Sequence, residues 1–169
     1  MFRRVVIASL LAAVGVVAPG ADLGPGMRAP EFQAQDQHGS TVRLADFFGK
    51  SNVVLYFYPK DDTPGCTREA CALRDGYRAI QATGAVVLGV SADDVGSHAA
   101  FAAKYDLPFS ILADPDGVLI GRYGVKMPVF RIASRVTFII DKQGVIRFKV
   151  DQVDTAKHDQ QVLDLLKTL

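Results

Sequence analysis

Two cysteines, Cys66 and Cys71, stand five positions apart in the stretch Pro59-Lys60-Asp61-Asp62-Thr63-Pro64-Gly65-Cys66-Thr67-Arg68-Glu69-Ala70-Cys71, and the 169-residue chain has no other thiol. Thiols this close suit redox chemistry, a structural disulfide or a metal. Just before them, Val53-Val54-Leu55-Tyr56-Phe57-Tyr58 is rich in β-branched and aromatic residues and reads as a buried strand, whereas Glu69-Ala70-Cys71-Ala72-Leu73-Arg74 reads as helix. Cys66 therefore falls in the first turn of a helix that follows a strand. Free backbone N–H groups and the positive end of the helix dipole favour an anion there, and a thiolate is the anion a cysteine can become.

A permanent staple fits this spacing poorly. Positions five apart on a continuous helix lie roughly 8–9 Å apart between Cα atoms, beyond the limit of about 7 Å for a disulfide. So short a closed loop also constrains little chain entropy. The spacing favours a bond that forms and breaks in a cycle, with the helix unwinding locally each time. His38, His98 and His158 are widely spaced and have no positional link to Cys66. That weakens a cysteine–histidine hydrolase and leaves a zinc site without its ligand spacing. No Gly-rich phosphate cradle or dinucleotide fingerprint is present, and no cofactor is expected.

The elements that must position the thiols follow from the pattern on either side. Arg28-Ala29-Pro30-Glu31-Phe32 is expected to be extended, and Gln37-His38-Gly39-Ser40 to turn into Thr41-Val42-Arg43-Leu44. A core strand is expected over Asn52 to Tyr58, and Ala85 to Val90 reads as a second buried strand after Gly84. Asp94 is a candidate cap for a helix running to Tyr105. A short strand near Ser110-Ile111-Leu112 leads to the turn Asp114-Pro115-Asp116-Gly117, and Arg135–Ile140 pairs with Val145–Val150 across Asp141–Gly144. A last helix, about Thr155 to Leu169, places Val162, Leu165, Leu166 and Leu169 at helical spacing. Strand and helix alternating, then an antiparallel pair and a closing helix, is an α/β layered plan with a mixed sheet.

A net charge of +1 over 169 residues supplies one domain with a real core and no basic excess for nucleic acid or an anionic membrane. Met1-Phe2-Arg3-Arg4 followed by apolar Val5 to Ala18 has the layout of a secretory signal, with cleavage expected after Gly20 or Ala21. Residues 1–21 are therefore read as a signal peptide and 26–169 as the domain, exported to the bacterial periplasm and without stable membrane insertion once the signal is removed. An uncleaved anchor is the other reading of the same segment.

The pattern Pro59-x-x-x-Thr63-x-x-Cys66 resembles the peroxiredoxin active-site motif, and Cys71 lies where the peroxiredoxin Q, or bacterioferritin comigratory protein, branch carries its second cysteine. The resemblance spans about Gly26 to Leu169 and includes Ala29-Pro30-Glu31-Phe32, Leu112–Gly117, Tyr123-Gly124-Val125 and Arg135–Asp141. It implies a thioredoxin-like fold, a central mixed sheet flanked by helices, with a peroxiredoxin-type N-terminal extension. It implies that Cys66 is the peroxidatic thiol and Cys71 the resolving one, joined in an intramolecular disulfide. Thr63 would bond the thiolate and the peroxide, Pro59, Pro64 and Gly65 would shape the pocket, and Arg135 would stabilise the thiolate. Glu69 matches an acidic position of the family and could equally favour the helix start.

By the same resemblance the substrates are hydrogen peroxide and organic hydroperoxides, the reductant a thioredoxin-like dithiol, and the protein a monomer. On spacing alone Thr63 could be only a helix cap and Arg135 a surface ion-pair partner. An exported thiol–disulfide oxidoreductase, or a non-enzymatic binding domain with a structural disulfide, would explain the same two thiols.

Overall fold

Alternation along the central strand sets the architecture. In the computed structural model, which describes residues 22–169, Val53, Leu55 and Phe57 point to one side of a sheet and Val54, Tyr56 and Tyr58 to the other. Each side builds its own buried core. The expected signal segment lies outside the described residues.

The strands are β1 (Gln33–Asp36), β2 (Thr41–Arg43), β3 (Asn52–Phe57), β4 (Ala85–Ser91), β5 (Ser110–Ala113), β6 (Val136–Ile140) and β7 (Ile146–Val150). The helices are α1 (Pro64–Asp75), α2 (Tyr77–Ala82), α3 (Val95–Tyr105), α4 (Val118–Arg122) and α5 (His158–Leu166). One seven-stranded sheet runs β2-β1-β5-β4-β3-β6-β7, with β3, β4 and β5 parallel and the remaining pairings antiparallel. On the Tyr56 side lie Cys66, Ala70 and Leu73 of α1, Ile80 of α2, Phe101 of α3 and Val162 and Leu166 of α5. The other side is filled by Leu44, Leu119, Ile120, Tyr123 and Phe138.

Most of the expected elements form for the expected reasons. Asp94 caps α3, its carboxylate accepting the Ser97 N–H at 2.8 Å. Asp36 closes the β1–β2 turn by accepting the N–H groups of His38 and Ser40, each at 2.9 Å.

Three details differ from the sequence reading. The last helix is shorter than Thr155–Leu169: the chain turns at Asp154–Lys157, α5 begins at His158, and Leu169 is left 51% exposed. The Asp114–Gly117 turn opens into α4 because both Asp114 oxygens accept N–H groups, from Val118 at 2.9 Å and Ile120 at 2.8 Å. The cysteine helix gives way to a separate α2 at Gly76, where an added Cβ would stand 2.5 Å from the Asp159 Cβ of α5. Only glycine lets α5 approach α1 so closely.

Candidate active site

Strand β3 delivers the chain into the loop Tyr58–Thr63, and this loop is anchored before α1 starts. Asp61 is buried, and its carboxylate accepts Tyr58 Oη at 2.6 Å and Ser97 Oγ at 2.7 Å, with His98 Nδ1 at 2.8 Å. The Asp61 N–H donates to Asp93 at 2.9 Å. Burial opposes the charge, but hydrogen bonds from His98, Tyr58 and Ser97 hold the Asp61 carboxyl below its ordinary value.

Pro64 occupies the first position of α1, where its missing N–H costs nothing. Thr67 makes the first bond of the helix ladder, its N–H donating to the Thr63 carbonyl at 2.8 Å. The N–H groups of Gly65 and Cys66 therefore precede the ladder and face the helix mouth. Thr63 does not cap them: its hydroxyl donates to the Lys60 carbonyl at 2.9 Å and accepts nothing from the first turn. The mouth of α1 keeps donors for an incoming oxygen.

Cys66 is 2% exposed and Cys71 half-buried, both free thiols on the same continuous helix. Arg135, 69 residues further along and just ahead of β6, donates through Nη2 to Cys66 Sγ at 3.3 Å. Its Nη1 donates to Glu69 Oε2. One guanidinium thus spans two acids on one helix. Burial works against its charge, but Glu69 and Cys66 keep Arg135 protonated. Gly65 gives it room, since an added Cβ would meet Nη2 at 3.2 Å. Arg135 is no surface ion-pair partner: its side chain is 22% exposed against a Glu69 that is wholly buried.

Glu69 does not serve the helix start. It sits in the second turn, on the inward stripe Cys66, Glu69, Ala70, Leu73, and burial pushes its carboxyl up from 4.5 to about 7 against the pull of Arg135. Its second oxygen, Oε1, has no hydrogen-bond partner among the described residues. His158 of α5 stands across from it, with Nε2 at 3.6 Å. His158 is also wholly buried, and burial, with the Arg135 charge acting the same way, pushes the imidazole down from 6.5 to about 4. Tyr56 closes the floor. Its hydroxyl is buried and unpartnered among the described residues, and burial with the nearby Glu69, Asp61 and Cys66 raises it well above 10.

The pattern of the AhpC/TSA family matches residues 25–149. A chloroplastic peroxiredoxin Q of Populus jackii is 43% identical over 151 residues, spanning 88% of this chain and 70% of the relative. The chain belongs to the AhpC/TSA family. Among solved structures this peroxiredoxin is similar to the peroxidoxin BcpB from Mycobacterium tuberculosis, with a TM-score of 0.81 at 30% identity over 87% of this chain and 98% of that one. It is also similar to the bacterioferritin comigratory protein of Xanthomonas campestris, studied for alkyl peroxide reduction through trapped-intermediate and ligand complexes. That match has a TM-score of 0.75 and 30% identity over 81% of this chain and 90% of the other. The thioredoxin-like fold expected from the motif is confirmed, and the peroxiredoxin is a thiol-dependent peroxidase.

Of the residues singled out in the sequence, the structure brings Cys66, Gly65, Glu69 and Arg135 together. Pro59 is half-buried in the loop before the helix, Pro64 starts the helix, and Thr63 sits at the mouth with its proton turned away on Lys60. Cys71 remains on the far side of more than a helical turn. His158, which has no positional link to the thiols in the sequence, stands directly behind Glu69. Glu69 is singled out in the sequence by resemblance alone; the signal for its burial is the helical spacing it shares with Cys66, Ala70 and Leu73.

Proposed function

We propose that Cys66 attacks hydrogen peroxide or an organic hydroperoxide, that Cys71 resolves the product, and that a thioredoxin-like dithiol restores both thiols. The observation that carries this reading is the single Arg135 guanidinium held between Cys66 and Glu69 at the mouth of α1. A fixed cation and the free N–H groups of Gly65 and Cys66 favour the thiolate, and they face the oxygens that gain charge in an in-line attack. The thiolate bonds to one peroxide oxygen as the O–O bond breaks. Cysteine sulfenic acid forms, and the other oxygen leaves as alkoxide or hydroxide and takes a proton. Thr63 keeps its oxygen lone pairs free to accept the peroxide O–H. The Cys71 thiol then displaces water from the sulfenic acid and gives the Cys66–Cys71 disulfide.

The alkyl peroxide chemistry of the Xanthomonas campestris relative supports organic hydroperoxides as substrates alongside hydrogen peroxide. The basic start and apolar run of residues 1–18 support export to the bacterial periplasm with removal of a signal near residue 21, leaving a monomer with no membrane anchor. Intact mass of the exported protein tests the cleavage.

Function is tested by adding one equivalent of peroxide to the reduced protein. Two thiols are expected to vanish within one rapid phase, and Cys66→Ser is expected to abolish turnover. A thiol–disulfide oxidoreductase or a fixed-staple binding domain would leave both thiols untouched by peroxide.

A further inference from the structure

We propose that His158 is a positioning residue of this peroxidase, a buried side chain behind Glu69 that offers it no donor, favours its protonated form and so commits the Arg135 charge to Cys66. The proposal rests on the peroxidase reading above and extends it to a residue of α5.

The hydrogen-bond pattern fixes the imidazole tautomer. Gln161 Oε1 accepts the Asp154 N–H at 2.9 Å while its Nε2 donates to the Gln152 carbonyl at 3.2 Å, so the amide orientation is set by two backbone groups. That same Oε1 faces His158 Nδ1 at 3.2 Å, which places the imidazole proton on Nδ1. Nε2 therefore carries no proton, and its one lone pair accepts the Thr137 hydroxyl at 2.8 Å. Behind Glu69 Oε1 the imidazole thus offers no donor. An ionised Oε1 finds no donor on this side, with the imidazole edge 3.6 Å away, so the neutral carboxyl is the form that costs less to bury here. The raised Glu69 and the lowered His158 agree with that arrangement.

The consequence for Cys66 follows from counting charges. Two buried acids share one cation. Whichever keeps its proton leaves the Arg135 charge to the other. A wall that favours protonated Glu69 therefore favours the Cys66 thiolate. The charged and titratable groups around His158 are Glu69 of α1, Arg135 ahead of β6, Asp154 in the turn before α5 and Asp159 in its first turn. Thr137 and Gln161 complete its contacts without a charge.

The test is a double-mutant cycle read by stopped-flow at several pH values, once the wild-type protein has shown its rapid peroxide-dependent loss of thiols; absence of that phase would defeat the peroxidase reading itself. His158→Gln brings an amide donor to Glu69 Oε1 and is expected to slow peroxide attack about tenfold at neutral pH, the effect of moving an acid by one pH unit, with the rate profile displaced to higher pH. In a Glu69→Gln background there is no proton to hold, so the same His158→Gln change is expected to be nearly silent. Equal slowing in both backgrounds, or an undisplaced profile, overturns the proposal. A second measurement needs no His158 variant: infrared spectra of the reduced protein at neutral pH are expected to show a buried carboxylic acid band that Glu69→Gln removes. A reduced wild type without that band overturns the proposal equally.

Discussion

Glu69 and His158 are both wholly buried and stand 3.6 Å apart, yet they bias stability against pH in opposite directions. Glu69 holds its proton more tightly in the fold, at about 7 against an ordinary 4.5, so its stabilising contribution is complete in acid and is lost as the pH rises toward 7. His158 is lowered from 6.5 to about 4, so its contribution is complete above 6.5 and is lost as the pH falls toward 4. Each displacement is about 2.5 pH units, worth about 3 kcal/mol at 1.36 kcal/mol per unit. In the wild-type protein the two largely cancel between about pH 4 and 7. Glu69→Gln is expected to unmask His158, its stability relative to wild type falling by roughly 3 kcal/mol as the pH is lowered across that window. His158→Gln is expected to do the reverse, gaining on wild type by a similar amount in acid. Urea unfolding of the reduced proteins at half-unit pH intervals measures both, and subtraction of the wild-type curve removes the contributions of other groups. Variant curves that run parallel to wild type within about 0.5 kcal/mol would refute the reasoning, since a burial-driven displacement of this size must appear as a slope.

Other outcomes follow from the same geometry. Arg135→Ala is expected to slow peroxide attack by about 10²–10³, the usual cost of losing a fixed donor to developing charge, and an unchanged second-order rate would remove Arg135 from the chemistry. Cys71→Ser is expected to consume one equivalent of peroxide and then accumulate Cys66 sulfenic or sulfinic acid, seen by mass spectrometry. Oxidised protein is expected to lose amide protection from Thr67 to about Leu73 while α5 stays protected; equal hydrogen exchange in both redox states would show that α1 need not open. Asp61→Asn is expected to cost roughly 2–3 kcal/mol by chemical denaturation at neutral pH, because it weakens three buried bonds under the loop. That loss should shrink as the pH falls through the lowered Asp61 value, where the wild-type carboxylate takes up its own proton.

The parts of the fold legible in the sequence were those fixed by local rules. Pro64 marks a helix start, Asp94 a cap, and the alternation of Val53 to Tyr58 a strand with two buried faces. The single break at Gly76 was not legible, because its cause lies on another element: the Asp159 side chain of α5 leaves no room for a Cβ. The site divides the same way. Cys66, Cys71, Thr63, Arg135 and Glu69 are carried by the family resemblance, though the burial of Glu69, as against the helix-start role expected for it, shows only in the structure. His158 reaches Glu69 only because α5 docks at Gly76, a contact between positions 89 residues apart for which one sequence holds no periodicity. The turn of the Thr63 proton onto Lys60 likewise depends on the course of a loop that Asp61, Ser97 and His98 tie down.

The two ends of the sheet carry a further consequence. At one end β2 has only three residues, Thr41–Arg43; at the other, β7 turns out Arg147, bound to Asp141 at 2.5 Å, and Lys149, bound to Asp22 at 2.8 Å. A short strand and a charged one are poor templates for adding another strand. If α1 opens at each turnover, this protein repeatedly bares unpaired backbone, which in a crowded solution is the start of aggregation. Sheet borders that refuse a guest strand let the opened segment find no partner except its own helix, so that a cycle built on partial unfolding can be repeated without the molecules sticking to one another.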